Sequence, residues 1–226
     1  MHATIVLLAA FAVLLSGAAA SSDAAPNLVG SRLWGLPAFK GRVDLFTFTP
    51  RGAIDGLVLG DGTEVKTPPH LSRAILRVVR PGDMVTIQGL KVAALPLVQA
   101  VSIADETSGQ TVVDTGPGPS PPSDENAIGV PVTTANHRLE GRIRLVLHGA
   151  RGDVNGVLLD GGTVVRLPPP DAVRLAPLLM PGHPLVVDGL LSTSPLGSMI
   201  EAAALGVSAD RMTSVSPAPR GEDRHP

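Results

Sequence analysis

The second half of this 226-residue chain repeats the first half at a constant offset of 100 residues. The match runs without a gap from residue 41 to residue 90, and many of the identical positions are glycine or proline. Examples are Gly41-Arg42 with Gly141-Arg142, Gly62-Thr63 with Gly162-Thr163, Pro68-Pro69 with Pro168-Pro169, and Gly89-Leu90 with Gly189-Leu190. Because such residues fix turns, the repeat predicts two copies of one small fold and not a duplicated reaction centre.

Composition narrows the kind of protein that these two copies can form. The formal net charge is only -2, so the chain lacks the basic surface expected of a protein that binds double-stranded nucleic acid. Aromatic residues make up 2% of the chain, so the cores must consist mainly of aliphatic side chains. There is no cysteine, which excludes disulfides, thiolate metal ligands and a thiol nucleophile.

The first residues have the pattern of a secretory signal. Residues 3–15 form an apolar run that is too short to span a bilayer but suits the hydrophobic region of a signal peptide. Ala18-Ala19-Ala20 follows as a small-residue cleavage site. We therefore expect a signal peptide at residues 1–20, a periplasmic or secreted mature protein, and no membrane span after signal removal. The alternatives are an uncleaved anchor and a misplaced start codon.

Shifts in composition give the remaining boundaries. Residues 115–136 are predicted to be a linker, because their Pro/Gly/Ser-rich part cannot build a core. The other predicted segments are a leading segment at residues 21–40, a first domain at 41–114, a second domain at 137–212 and a disordered tail at 213–226.

Apolar alternation and turn residues predict five strands in each domain. In the first domain they are residues 41–49, 57–59, 63–67, 84–91 and 97–104, and the second domain repeats them. A tight hairpin is predicted at Gly60-Asp61-Gly62. A helix is predicted over residues 70–79 and another from Asp171, with Asp171 as its N-cap and Pro177 shortening or kinking it.

This order of elements resembles the oligonucleotide/oligosaccharide-binding (OB) fold, a five-stranded Greek-key barrel. Residues 52–70, which contain Ile54-Asp55-Gly56, Asp61-Gly62-Thr63 and Pro68-Pro69-His70, are similar to a group of exported bacterial proteins with such barrels. The second copy departs from the pattern at Asn155, Gly161 and Pro170. The resemblance implies a mainly β fold of two tandem five-stranded OB-like Greek-key barrels, each with one helix between strands 3 and 4. It names no ligand, because one fold hosts many functions.

Candidate ligand-binding residues lie in the first copy. They are Arg42, Phe46, Phe48, Arg73, Arg77 and Arg80. Simple alternation places Phe46 and Phe48 on one side of the first strand with Arg42, where rings and a guanidinium suit base stacking. The alternative is that both rings fill the barrel or pack under the helix. The three arginines of the helix form a basic stripe that suits phosphates or an acidic partner, and the alternative is an ordinary solvated helix face.

Other polar residues are assigned structural roles. Asp55 and Asp61 each precede a glycine, so their carboxylates are expected to bond to the local backbone of a turn. His70 is expected to hydrogen-bond near the helix start, with a pH-sensitive contact as the alternative. The sequence contains no nucleophile elbow, phosphate loop, dinucleotide fingerprint or paired-histidine motif. We therefore expect no catalytic residue, no metal site and no cofactor.

These observations predict a non-enzymatic, exported binding or protein-interaction module of the cell envelope. Its partner would be an envelope protein or an anionic ligand. The alternative is binding of single-stranded nucleic acid or an oligosaccharide by the first barrel, although near-neutral charge and few aromatic residues disfavour nucleic acid. An enzyme is a third possibility for which no sequence feature speaks.

Overall fold

A computed structural model describes residues 35–117 and 131–216 of the chain. The predicted signal peptide lies outside the described residues. So do most of the predicted leading segment, the central part of the predicted linker and most of the predicted tail.

The first copy forms a closed barrel. Its elements are β1 (Ala38–Phe48), β2 (Ile54–Leu59), β3 (Glu64–Lys66), α1 (Ser72–Val78), β4 (Met84–Lys91), β5 (Leu97–Asp105) and β6 (Thr111–Val113). Strand β1 pairs with β2 and β4, β2 pairs with β3, and β4 pairs with β5, all antiparallel. The parallel pair β3–β5 closes the ring, and β6 extends β5 outside it.

The second copy repeats this arrangement. Its elements are β7 (Thr133–His148), β8 (Val154–Leu159), β9 (Val164–Arg166), α2 (Pro169–Arg174), β10 (Pro184–Ser194), β11 (Gly197–Gly206) and β12 (Met212–Ser214). The same pairings connect β7 to β11 in a ring, and the parallel pair is β9–β11. The predicted mainly β fold, with a helix between the third and fourth strands of each copy, is confirmed. Strands β6 and β12 were not predicted, and β7 begins at Thr133, within the predicted linker.

Each barrel encloses an aliphatic core. In the first, Phe46, Ile54, Val65 and Ile87 are among the buried residues that pack together. The hairpin between β2 and β3 has the predicted geometry, because Gly62 has φ +86° and its N–H donates to Leu59 O at 2.9 Å. A residue with positive φ after a short turn is the usual solution for a three-residue hairpin loop, and glycine adopts it without strain.

A bulge in β1 changes which side chains face the core. The pairing of β1 with β2 shifts between Val43 and Leu45, so the strict alternation of sides is broken there. As a result Val43 and Phe46, which differ by three positions, both face the first core. The second copy has the same shift between Ile143 and Leu145.

The helices are shorter than predicted. Residues Pro69–Leu71 form a 3₁₀ turn and α1 begins only at Ser72, whose hydroxyl donates to Pro69 O at 2.5 Å. The predicted effect of Pro177 is confirmed, since α2 ends at Arg174 and a separate 3₁₀ turn, Ala176–Leu178, follows it.

The predicted capping role of Asp171 is wrong. Pro168 occupies the N-cap of α2, and Asp171 lies inside the first turn. The Asp171 carboxylate instead accepts hydrogen bonds from Arg174 and from the backbone N–H of Ser216. These bonds, the one from Arg174 above all, hold the pKa of Asp171 below its ordinary value.

The two barrels pack against each other through equivalent faces. A third apolar cluster draws on both copies and includes Val58 with its repeat partner Leu158, and Leu45 with Leu145. Beside it Arg144 pairs with Asp44, which lies 100 residues earlier and is its repeat equivalent. Contacts between positions related by the repeat offset are those expected when two copies meet around an approximate two-fold axis.

Within residues 35–117 and 131–216, no helix combines the length and the apolar character that crossing a bilayer would need.

Candidate binding cleft between the barrels

The structure does not bring the predicted binding residues of β1 together. Phe46 and Phe48 are only 2% and 5% exposed and belong to the first core. Arg42 is exposed and donates to Gly82 O at 2.6 Å. The expectation that Arg42 shares a side with the two rings is wrong, because the bulge between them reverses the alternation.

The predicted basic stripe is only partly helical. Arg73 and Arg77 are exposed on α1, whereas Arg80 lies beyond the helix end at Val78. The backbone N–H of Arg80 donates to Asp83 Oδ2 at 2.7 Å. The binding role of these arginines stays a prediction.

The two turn aspartates behave differently. Asp61 accepts a hydrogen bond from the Thr63 N–H at 2.9 Å, which confirms its local turn role. Asp55 makes no such local bond with its carboxylate in the structure. The carboxylate accepts hydrogen bonds from the Thr47 hydroxyl at 2.6 Å and from Arg166 of the second barrel at 2.7 and 3.0 Å. The local reading of Asp55 is therefore wrong, since its main partner lies 111 residues away.

Arg166 connects the two copies. Its side chain is only 9% exposed. Besides the ion pair with Asp55, Nη1 donates to Asn155 Oδ1 at 3.0 Å and Nη2 donates to Phe48 O at 3.3 Å. Asp55 and Asn155 occupy equivalent positions in the repeat, so one guanidinium joins both. A planar fork with fixed donors suits such multiple contacts.

A second buried pair crosses the same interface. Oε2 of Glu64 in β3 accepts a hydrogen bond from the backbone N–H of His148 at 2.9 Å. The other carboxylate oxygen, Oε1, lies 2.6 Å from the ring nitrogen Nδ1 of His148. Lys66 Nζ lies 3.3 Å from Oε2 of Glu64, the oxygen that also accepts from the His148 backbone. Lys66 is the repeat equivalent of Arg166, and the network formed by Asp55, Glu64, Lys66, His148 and Arg166 will be called the buried charge network.

Burial lowers the pKa of the Lys66 ammonium from its ordinary value of 10.5. The positive charge of Arg166 acts in the same direction, while the carboxylates of Asp55 and Glu64 partly offset both. Lys66 is thus a cation that has lost much of its hydration without gaining a full set of acceptors.

The inter-barrel cleft lies beside this network, with a volume of about 420 Å³. The first barrel contributes Asp55, Lys66, Thr67, Pro68, Pro69, Leu90, Gln99, Ala100, Val101 and Asp114, and the second contributes Gly149, Ala150 and Asn155. The side chain of Gln99 connects the two walls, because its Nε2 donates a hydrogen bond to Ala150 O at 2.6 Å. The lining of the cleft therefore combines charged and polar residues with aliphatic ones.

Thr67 adds an unsatisfied group to the cleft wall. The residue is 5% exposed, and its hydroxyl has no hydrogen-bond partner among the described residues. An unpaired buried hydroxyl costs about 1–3 kcal/mol of stability, so a structure retains one only where something offsets that cost.

Two polar residues that line the cleft, Thr67 and Asp114, have apolar equivalents in the second copy. Thr67 and Leu167 are equivalent, because the N–H of each donates to the residue-55 or residue-155 carbonyl at 3.1 Å. Asp114 and Val215 are likewise equivalent, since each donates its N–H at 2.8 Å to β5 or β11. Leu167 and Val215 are buried in the second core. The repeat thus keeps its backbone and changes its side chains at the cleft.

The carboxylates that face the cleft are already engaged. Asp55 is held by Arg166 and Thr47, and Asp114 accepts from the Gly116 N–H at 2.9 Å and lies 3.1 Å from His70 Nε2. His70 therefore contacts Asp114, not the start of the helix as expected. Among the described residues, no three His, Asp or Glu side chains are grouped so that they could hold a metal ion.

Reasoning from the sequence missed the functional candidates Lys66, Thr67, Gln99 and Arg166. A signal was nevertheless present, because Thr67 and Lys66 are polar at the end of a strand whose other copy reads Arg166-Leu167. Many positions that are identical in the two copies lie in turns, whereas several positions that differ between the copies line the cleft.

Comparison with known proteins places this chain in no family: no protein-family model matches it, and no curated protein matches it.

Proposed function

We propose that the chain is a non-enzymatic binding module of the cell envelope that takes a small ligand in the inter-barrel cleft. The observation that carries the proposal is the cleft itself, which is walled by both barrels and lined in part by Lys66, whose side chain is largely buried. Small-molecule sites commonly lie between domains, and 420 Å³ falls within their usual size.

The pairing of charges supports binding over catalysis. Asp55 is engaged by Arg166, and Glu64 is engaged by both His148 and Lys66. A general acid or base needs a position from which it can exchange a proton with a substrate, and these carboxylates are committed to other partners. The network is better suited to holding the barrels and presenting Lys66.

A small ligand fits the cleft better than a macromolecule does. Stable protein partners cover roughly 800 Å² on each side, far more than one cleft offers. The alternative of single-stranded nucleic acid on the first barrel relied on Phe46 and Phe48, whose burial leaves them no free face for stacking. Export and an envelope location rest on the signal pattern, and N-terminal sequencing of the secreted product tests them by an expected start at Ser21.

The test is a fragment screen on the protein from Ser21 onward, using small acids, alcohols, amines, sugars and nucleotides. Binding is followed by melting temperature and by amide chemical shifts. The blocking variant is Leu90→Glu, because Leu90 lines the cleft and is 56% exposed, so its replacement should not unfold the barrel. Leu190→Glu is the matched control, since Leu190 is the repeat equivalent, is 39% exposed and does not line the cleft.

We expect at least one fragment to bind wild type and Leu190→Glu but not Leu90→Glu. If every fragment fails to bind, or if bound fragments ignore the Leu90 substitution, the cleft is not the binding site.

A further inference from the structure

We infer that the ligand of the cleft is a small aliphatic carboxylate, with its carboxylate on Lys66 and Thr67 and its alkyl part against Leu90, Ala100 and Val101. The inference rests on the proposed function, because it assigns a chemical class to the same cleft. It goes further in naming which groups recognise the ligand.

Lys66 is the cation with unused capacity. An ammonium group donates three hydrogen bonds, whereas its contact with Glu64 is long, at 3.3 Å. The same Glu64 carboxylate is already engaged at 2.6 and 2.9 Å by His148. Arg166, by contrast, is occupied by Asp55, Asn155 and the backbone. A carboxylate in the cleft would supply the acceptors that burial has taken from Lys66.

Thr67 provides a second donor next to Lys66 in the chain. Thr67 is one of the residues that line the cleft, and its buried hydroxyl makes no hydrogen bond within the described residues. The hydroxyl reaches a ligand after a rotation of about 120° about χ1, which moves it into the position now held by the methyl group or by Hβ. A bound carboxylate would therefore satisfy two deficits of the free protein at once.

The remaining walls fit an aliphatic chain. Pro68, Pro69, Leu90, Ala100 and Val101 line the cleft, and no aromatic side chain is among its lining residues. A base or a sugar ring would find no stacking partner there. An amine would meet the Lys66 ammonium, while the nearby carboxylates Asp55 and Asp114 are already engaged. The combination selects an anionic head on an apolar body.

The experiment measures binding of hexanoate, 1-hexanol and hexylamine to the protein from Ser21 onward by calorimetry and amide chemical shifts. We expect hexanoate to bind at least about tenfold more tightly than the other two, the ratio that one charge-assisted hydrogen bond provides. Thr67→Val should weaken hexanoate binding about tenfold, and Lys66→Met should abolish it. Leu190→Glu should bind like wild type, whereas Leu90→Glu should not bind.

Thr67→Val also guards against a trivial loss of fold. Valine has the shape of threonine and removes the unpaired hydroxyl, so this variant should melt no lower than wild type. Weaker binding by a protein that is equally or more stable then reports the missing hydrogen bond.

The outcomes separate the two proposals. Hexanoate binding that is unchanged in Thr67→Val and Lys66→Met, or weaker than hexanol binding, overturns the carboxylate assignment. If other fragments still bind in a Leu90-dependent way, the proposed function stands without it. If no fragment depends on Leu90, both proposals fall.

Discussion

Replacing Asp55 by Asn tests whether the buried charge network holds the two barrels together. The change keeps the size of the side chain and gives the first copy the residue found at Asn155. It removes the carboxylate that accepts two hydrogen bonds from Arg166, at 2.7 and 3.0 Å. The guanidinium would then face two amides and the ammonium of Lys66, with no carboxylate partner of its own.

The magnitude follows from burial at the two ends of the pair. Removing one partner of a buried ion pair costs about 3–5 kcal/mol, whereas an exposed pair contributes less than about 1 kcal/mol. The Arg166 side chain is 9% exposed but that of Asp55 is 23% exposed, and Asn retains one acceptor. We therefore expect the free energy of unfolding to fall by about 2–3 kcal/mol, which lowers the melting temperature by about 4–12 °C.

Urea unfolding followed by circular dichroism measures the effect, with Asp61→Asn as the control. Asp61 is exposed and accepts one local hydrogen bond, so its loss should cost less than about 1 kcal/mol. A double-mutant cycle with Arg166→Met isolates the pair, and the two changes together should cost at least about 1 kcal/mol less than their sum. Equal effects of Asp55→Asn and Asp61→Asn, or an additive cycle, would refute the reasoning.

Three further changes test other parts of the structure. Gly62→Val should destabilise more than Gly162→Val in thermal melts, because both glycines have positive φ but only at Gly62 would a Cβ lie 3.3 Å from Leu145 of the other barrel; equal losses would remove that contact from the argument. Asp171→Asn should reduce the fall in the free energy of unfolding at acid pH. The lowered pKa of Asp171 adds stability that is present above pH 3.8 and lost as the pH falls through the folded-state pKa, so an unchanged fall in the variant would contradict this. In wild type the free energy of unfolding should rise as the pH increases from the lowered pKa of Lys66 to 10.5, because in this range the unfolded chain binds more protons than the folded chain. Lys66→Met should remove this rise, and a rise that persists in the variant would show that another group causes it.

The features that sequence predicted correctly depend on local geometry. The hairpin at Gly62 needs positive φ at one residue, and Pro177 cannot lie in the interior of an α-helix. The fold class follows from the sum of such signals, because five strands and one helix in a fixed order leave few ways to close a barrel. Repetition of the same signals at an offset of 100 residues then fixes the architecture of the second copy.

The features that sequence missed depend on pairing between distant segments. The bulge that separates Arg42 from Phe46 arises in the register of β1 against β2, and strict alternation cannot show it. Asp55 precedes a glycine and so has the sequence of a turn residue, yet its partner Arg166 comes from the other copy. The cleft exists only because two barrels meet, so no single repeat could indicate it.

The difference between the copies makes the inter-barrel cleft asymmetric. Two identical barrels around an approximate two-fold axis would present the same residues at two equivalent clefts. Here the second copy buries Leu167 and Val215 in its core, where the first places Thr67 and Asp114 at the cleft. Arg166 is directed into the interface to pair with Asp55, whereas its equivalent Lys66 keeps donor capacity beside the opening. One copy thus consolidates the packing and the other retains groups whose burial is costly, which is the division that the proposed ligand site in the cleft requires.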